Sequence, residues 1–154
     1  MLNFKEYLYE SNDESHILSG VVLIYNNKIL LVRAKKFRRH MKKWSIPKGH
    51  IEKGVSKIET ALKELKEESR IKLTKEHLKN ATKIVINYFK SNVNKNLTCY
   101  IVNVNKDDVN IKLFNDMILG NFLKAETVEA GFFSMKDALE IMEKYQLELL
   151  KFLD

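Results

Sequence analysis

Three carboxylates dominate the chemistry this sequence could do: Glu64, Glu67 and Glu68, in Lys63-Glu64-Leu65-Lys66-Glu67-Glu68. On a helix they fall within an arc of roughly 100°. Ile58, Ala61, Leu62 and Leu65 recur at three- and four-residue steps and form a separate apolar stripe. Like charges at this spacing repel by a few tenths of a kcal/mol per pair. A hard divalent cation removes that cost. Mg²⁺ prefers oxygen ligands and often bridges protein carboxylates to substrate phosphates. One of the acids could also deprotonate water, or metal-bound water could be the nucleophile. A second reading of the same acids is a solvated helix face. Lys57, Lys63 and Lys66 would soften the repulsion, with Lys63 pairing to Glu59 or Glu67.

Several elements must position these acids. Ser56 is placed to cap the helix, with Glu59 completing a capping box, and the helical pattern runs to about Ser69. Before it lies Trp44-Ser-Ile-Pro-Lys-Gly, which contains the only proline, Pro47. Further upstream, Ile17–Tyr25 and Lys28–Ala34 are apolar runs around Asn26-Asn27, a hairpin signal. The segment Arg33 to Lys43 is a densely basic loop. Downstream, Ala81–Lys90 and Leu97–Val104 read as strands joined by a polar, Asn-rich turn. Asp107–Lys124 fits neither period, and Glu129–Phe133 reads as a last strand. Ser134 and Asp137 mark the start of a final helix through Ala138, Leu139, Ile141, Met142, Tyr145, Leu149 and Leu150. Phe4–Tyr9 has the composition of a short helix. Mixed strands and helices predict an α/β layered domain with a mixed sheet.

At 154 residues the chain fits one domain and can bury a core without metal or disulfide staples. Its single cysteine, Cys99, excludes an intrachain disulfide. A net charge of +7 favours anionic partners such as nucleotides, polyphosphates or RNA, or else marks a solubilising lysine-rich surface. No apolar run reaches the length of a membrane span. The stretch Met1–Glu10 lacks the apolar centre of a signal peptide, so the expectation is a cytoplasmic protein with no membrane partner.

Gly49 to Ile71 resembles the Nudix box, G-x5-E-x7-R-E-U-x-E-E-x-G-U, with U a bulky aliphatic residue. Gly49, Glu64, Leu65, Glu67, Glu68 and Ile71 match in register. Trp44–Gly49 and Glu129-Ala-Gly-Phe-Phe-Ser134 are also similar to the family. The resemblance runs from about His16, which leaves residues 1–15 as an extension and 16–154 as the Nudix domain. Three positions depart from the box: Val55 stands for Glu, Lys63 for Arg and Arg70 for Gly. The first two are linked, because a guanidinium without its carboxylate loses its bidentate role. Arg70 replaces a glycine suited to a positive-φ helix end, at about 1 kcal/mol if that geometry is kept.

The resemblance implies an α/β/α sandwich and attack of water on phosphorus in a diphosphate linkage. It implies that Glu64, Glu67 and Glu68 hold Mg²⁺ or Mn²⁺, with the Gly49 carbonyl. Glu126 is either a further metal ligand or base, or an ordinary loop acid. The Trp-x-x-Pro-Lys-Gly-His form is similar to dinucleoside polyphosphate hydrolases and to diphosphoinositol polyphosphate or RNA pyrophosphohydrolases. The strands around Tyr88 and Tyr100 resemble the diadenosine tetraphosphate branch. Tyr88 or Tyr100 could stack on a base or fill a strand core. Trp44 could be a base platform or packing. Lys48, Arg33 and Lys35 could hold phosphates. His50 lies in the same loop, but an imidazole suits Mg²⁺ poorly. Cys99, alternating within a strand, reads as a small buried hydrophobe. The expected activity is hydrolysis of a nucleoside polyphosphate, foremost diadenosine tetraphosphate. The alternatives are removal of diphosphate from the 5′ end of RNA, or a Nudix-fold nucleotide- or RNA-binding module with weak catalysis, motivated by Val55, Lys63 and Arg70.

Overall fold

The computed structural model describes residues 16–105, 107–108 and 112–154. The expected helix at Phe4–Tyr9 and the extension 1–15 lie outside the described residues. Ile17–Tyr25 (β1) and Lys28–Ala34 (β2) form the expected antiparallel hairpin. Asn26 and Asn27 have φ of 52° and 56°, the backbone a two-residue hairpin turn requires. Lys48–His50 (β3) pairs antiparallel with the start of β1. Helix α1 spans Lys57–Ser69, and a short helix α2, Lys75–Lys79, follows. No sequence expectation covered α2, which is too short to show a period.

Thr82–Lys90 (β4) and Val93–Val104 (β5) pair antiparallel around Ser91 and Asn92, both at positive φ. The polar turn is therefore two residues rather than the whole Asn-rich stretch. Asn94 and Asn96 belong to β5 and pair with Phe89 and Asn87. Leu113–Phe114 (β6) and Met117–Ile118 (β7) form a minimal hairpin inside the ambiguous region, and Thr127–Phe133 (β8) closes the sheet. The sheet order is β4-β5-β1-β2-β8-β7-β6, with β3 off this path on β1. The β1–β5 pair is parallel along nine positions while the other pairs are antiparallel, so the sheet is mixed as expected.

Both faces of the sheet are covered, which is why β1 is apolar on both sides from Val21 to Ile24. On one face Val21 and Leu23 join Ala61 and Leu65 of α1, with Leu30, Tyr100 and Phe132. On the other, Val22 and Ile24 join Trp44, Ile46, Met142, Leu149 and Leu150. The architecture is an α/β/α sandwich.

The last helix differs from its expectation. Helix α3 spans Met135–Ile141, capped by Ser134 through the Asp137 N–H. The chain then breaks and resumes as a 3₁₀ segment, Lys144–Phe152. The break has a tertiary cause. Met142 bridges Trp44 in strand fashion, and the Glu143 N–H donates to the Trp44 carbonyl at 2.8 Å. Trp44 itself is 2% exposed and packs edge-on against Phe133. It serves the core rather than a base platform. Among the described residues no helix is long and apolar enough to cross a membrane.

Candidate active site

Helix α1 begins as its sequence dictates. The Glu59 N–H donates to the Ser56 hydroxyl at 3.1 Å. The Glu59 carboxylate pairs with Lys75 at 3.5 Å rather than closing a capping box. At about 100° per residue, Glu68 lies about 40° from Glu64 on the side toward Leu65, and Glu67 about 60° to the other side. This decides their surroundings. Glu64 and Glu68 border the apolar stripe and are 7% and 6% exposed, whereas Glu67 is half-buried.

The buried pair faces β3. A side chain at position 49 would overlap the Glu64 carboxylate, so glycine lets β3 approach while Glu64 keeps its place. The Lys48 N–H donates to Glu68 Oε2 at 3.3 Å. Ser19 Oγ, donating to the Lys57 carbonyl at 2.6 Å, ties β1 to the start of the helix. The loop carrying Lys48 is clamped from the opposite layer by buried Gln146, which accepts from the Ile46 N–H and donates to Ser45 Oγ.

The two carboxylates meet at one cation. Lys124 Nζ donates to Glu64 Oε2 at 3.1 Å and to Glu68 Oε1 at 3.0 Å. Its backbone N–H also bonds the Glu67 carbonyl at 3.0 Å, closing the end of α1. Burial pushes the Glu68 carboxyl up to about 7, with Lys124 pulling back. Burial would lower Lys124, but Glu68 and Glu64 hold it above the usual lysine range. Burial lowers Lys48, opposed by Glu68. Burial also lowers His50, helped by Lys95, whose ammonium lies 3.2 Å from its Nε2. Burial pushes the Cys99 thiol up to about 12, as suits an inert core residue.

These groups border a pocket of about 480 Å³. Its walls include Glu64, Glu68, Gly49, Lys48 and Glu126 among the residues singled out from sequence. They also include Lys36, Phe37, Lys43, Lys90, Lys124 and Tyr145, which sequence reading did not single out. The basic run from 33 to 43 pointed to the first three only as a group. Lys124 and Tyr145 carried no local signal. A β-bulge at Arg33/Ala34 opposite Thr127 bends the strands where Ala34, Glu126 and Thr127 form the wall.

Other candidates stand elsewhere. Arg33 is clamped by Glu129, at 2.9 Å from Nε and 2.7 Å from Nη2, and by the Phe37 carbonyl. Lys35 is exposed and does not border the pocket. Tyr88 reaches it indirectly, stacking on Tyr145 with centroids 3.7 Å apart. Tyr100 is buried. Lys63 pairs with Glu52 at 3.2 Å, so a carboxylate three residues before Val55 supplies a partner. Arg70 adopts φ 71° at the helix end, the left-handed geometry that favours glycine.

The converging donors are hard carboxylate oxygens already gathered around a positive charge, which is the chemistry a divalent metal takes. Two acids do this. Among the described residues, no cluster of three or more His, Cys, Asp or Glu stands close enough to hold a metal.

The family model for the NUDIX domain matches residues 15–153. Solved structures share the fold at low identity. An Ap4A hydrolase of C. elegans, in a binary complex, is 22% identical with a TM-score of 0.63, covering 88% of this chain and 92% of that one. The NUDIX domain of Shewanella oneidensis NrtR, complexed with ADP ribose, is 16% identical with a TM-score of 0.65, covering 97% and 96%. A bifunctional NMN adenylyltransferase/ADP ribose pyrophosphatase of Francisella tularensis, complexed with AMP and a Mn ion, is 17% identical with a TM-score of 0.68. The match covers 95% of this chain but 43% of that larger protein.

Proposed function

This chain belongs to the Nudix family, hydrolases of pyrophosphate linkages in nucleotide-like substrates that generally use divalent metal ions, and we propose that it cleaves a dinucleoside polyphosphate such as diadenosine tetraphosphate with Mg²⁺ or Mn²⁺. The observation that carries this reading is the pair of buried carboxylates, Glu64 and Glu68, converging on one cation position against Gly49.

Glu64 and Glu68 would hold the metal, with Glu67 and the Gly49 carbonyl beside them. When bound, the metal supplies positive charge to the phosphoryl oxygens and to attacking water. Lys36, Lys43, Lys48 and Lys90 border the pocket and would bind the remote phosphates. Phe37 and Tyr145 present aromatic surface on the same walls, suited to a base. A water oxygen bonds to phosphorus, the bridging P–O bond breaks, and the water proton passes to a carboxylate. Glu126, exposed at the pocket wall, is our candidate for that base. Support for the substrate comes from the residues flanking the box and from a C. elegans Ap4A hydrolase of the same fold.

The test is a panel with Mg²⁺: diadenosine tetraphosphate, ADP-ribose, NADH, nucleoside triphosphates and 5′-triphosphate RNA. Glu68→Gln serves as matched control, and products are resolved by chromatography. Cleavage of diadenosine tetraphosphate that Glu68→Gln abolishes is the expected result. Preference for 5′-triphosphate RNA would replace the substrate and keep the chemistry. Equal rates in wild type and variant would overturn the assignment of the carboxylates.

A further inference from the structure

We propose that Lys124 is the resident counter-ion of the carboxylate pair, and that a divalent cation binds by displacing its ammonium from between Glu64 and Glu68. This rests on the reading of those two acids as metal acceptors.

Two carboxylates on successive turns of α1, each less than a tenth exposed, cannot both carry charge without a partner nearby. Lys124 Nζ sits 3.1 Å from one and 3.0 Å from the other. A metal would need the same oxygens, and two cations cannot share one position.

The attachment of Lys124 suits exchange. Its backbone is fixed on both sides: its N–H bonds the Glu67 carbonyl at 3.0 Å, and its carbonyl accepts from the Thr127 N–H at 3.1 Å. Its side chain is 32% exposed and borders the pocket. A flexible four-carbon stem can therefore swing out while the loop stays docked. Tethering keeps the ammonium at high local concentration, so it competes strongly with free metal. Lys36 borders the same pocket without bridging the acids, which makes it the natural control.

The experiment titrates Mn²⁺ alone, without nucleotide, into wild type, Lys124→Met, Lys124→Gln and Lys36→Met, followed by electron paramagnetic resonance. Losing one charge-assisted contact should tighten Mn²⁺ binding by at least about tenfold in both Lys124 variants. Lys36→Met should change it by less than about threefold, the size of an ordinary surface effect. A matching gain in Lys36→Met would overturn the proposal in favour of a general field effect. Unchanged affinity in the Lys124 variants would overturn it directly. Absence of Mn²⁺ binding in every protein would instead overturn the metal reading of Glu64 and Glu68. A second readout needs no variant. Amine labelling of wild type, resolved by mass spectrometry, should rise at Lys124 when Mn²⁺ is added, and no rise overturns displacement.

Discussion

Two cavities border helix α1, and they differ in net charge and in the burial of their charged groups. The larger, about 890 Å³, is lined by Lys66, Arg70, Lys72 and Lys112, with Asp108 the acid among its lining residues and Leu119 and Leu123 beside them. The smaller, about 480 Å³, mixes lysines with Glu64 and Glu68. Lys66 and Arg70 are exposed, so water and salt screen them at little cost. Glu64 and Glu68 in the smaller pocket are shielded from water, so each must be partnered or shifted in pKa. Size and net positive charge favour the first cavity. Burial favours the second, because a desolvated charge interacts strongly with whatever enters.

Removing the buried acids of the smaller pocket is the strongest way to break this contrast. Glu64→Gln or Glu68→Gln should lower kcat/KM by at least about a hundredfold, the usual scale for a group acting on the reacting atoms. A comparable loss from Lys66→Ala would mean that burial does not separate the two cavities.

The next effect is on pH. Burial raises Glu68 from the ordinary 4.5 to about 7, so the folded state keeps its proton to higher pH than the unfolded chain. Stability from that proton is complete below about 4.5 and is lost as pH rises through about 7. In metal-free buffer, the Tm of wild type minus that of Glu68→Gln should therefore fall across this window. A flat difference would remove the desolvation argument.

Smaller effects belong to the larger cavity. Arg70 holds a left-handed backbone with φ 71°, and its guanidinium donates to the Leu119 carbonyl at 3.3 Å in an exposed contact. Arg70→Gly should gain about 1 kcal/mol in urea unfolding, because glycine adopts that geometry without strain. The smallest change should come from Lys66→Ala and Lys72→Ala, which should keep stability within about 0.5 kcal/mol in the same assay.

Much of the scaffold was legible locally. The two asparagines predicted the β1–β2 turn, and Ser56 and Ser134 predicted both helix caps; each depends on residues within four positions. The 3.6-residue period of Ile58, Ala61 and Leu65 predicted α1 and the shared face of its acids. The Nudix box predicted Gly49 beside those acids, and the clash a side chain there would make with Glu64 explains the glycine. The misreadings were also physical. The final helix looked continuous because its apolar spacing is, yet Met142 and Glu143 give their backbone to Trp44, about 100 residues away in the chain. Arg33 had the right chemistry for phosphate, but Glu129 on the neighbouring strand takes its guanidinium.

The sequence by itself determined the identity, register and helical face of Glu64, Glu67 and Glu68, since helix geometry converts spacing directly into direction. Only the tertiary structure decided that Glu64 and Glu68 are buried while Glu67 stays half-buried. It alone brought Lys124, 56 residues from Glu68, between them. Burial and pairing depend on which surfaces meet when the sheet and helices pack, and residues that far apart carry no shared local pattern.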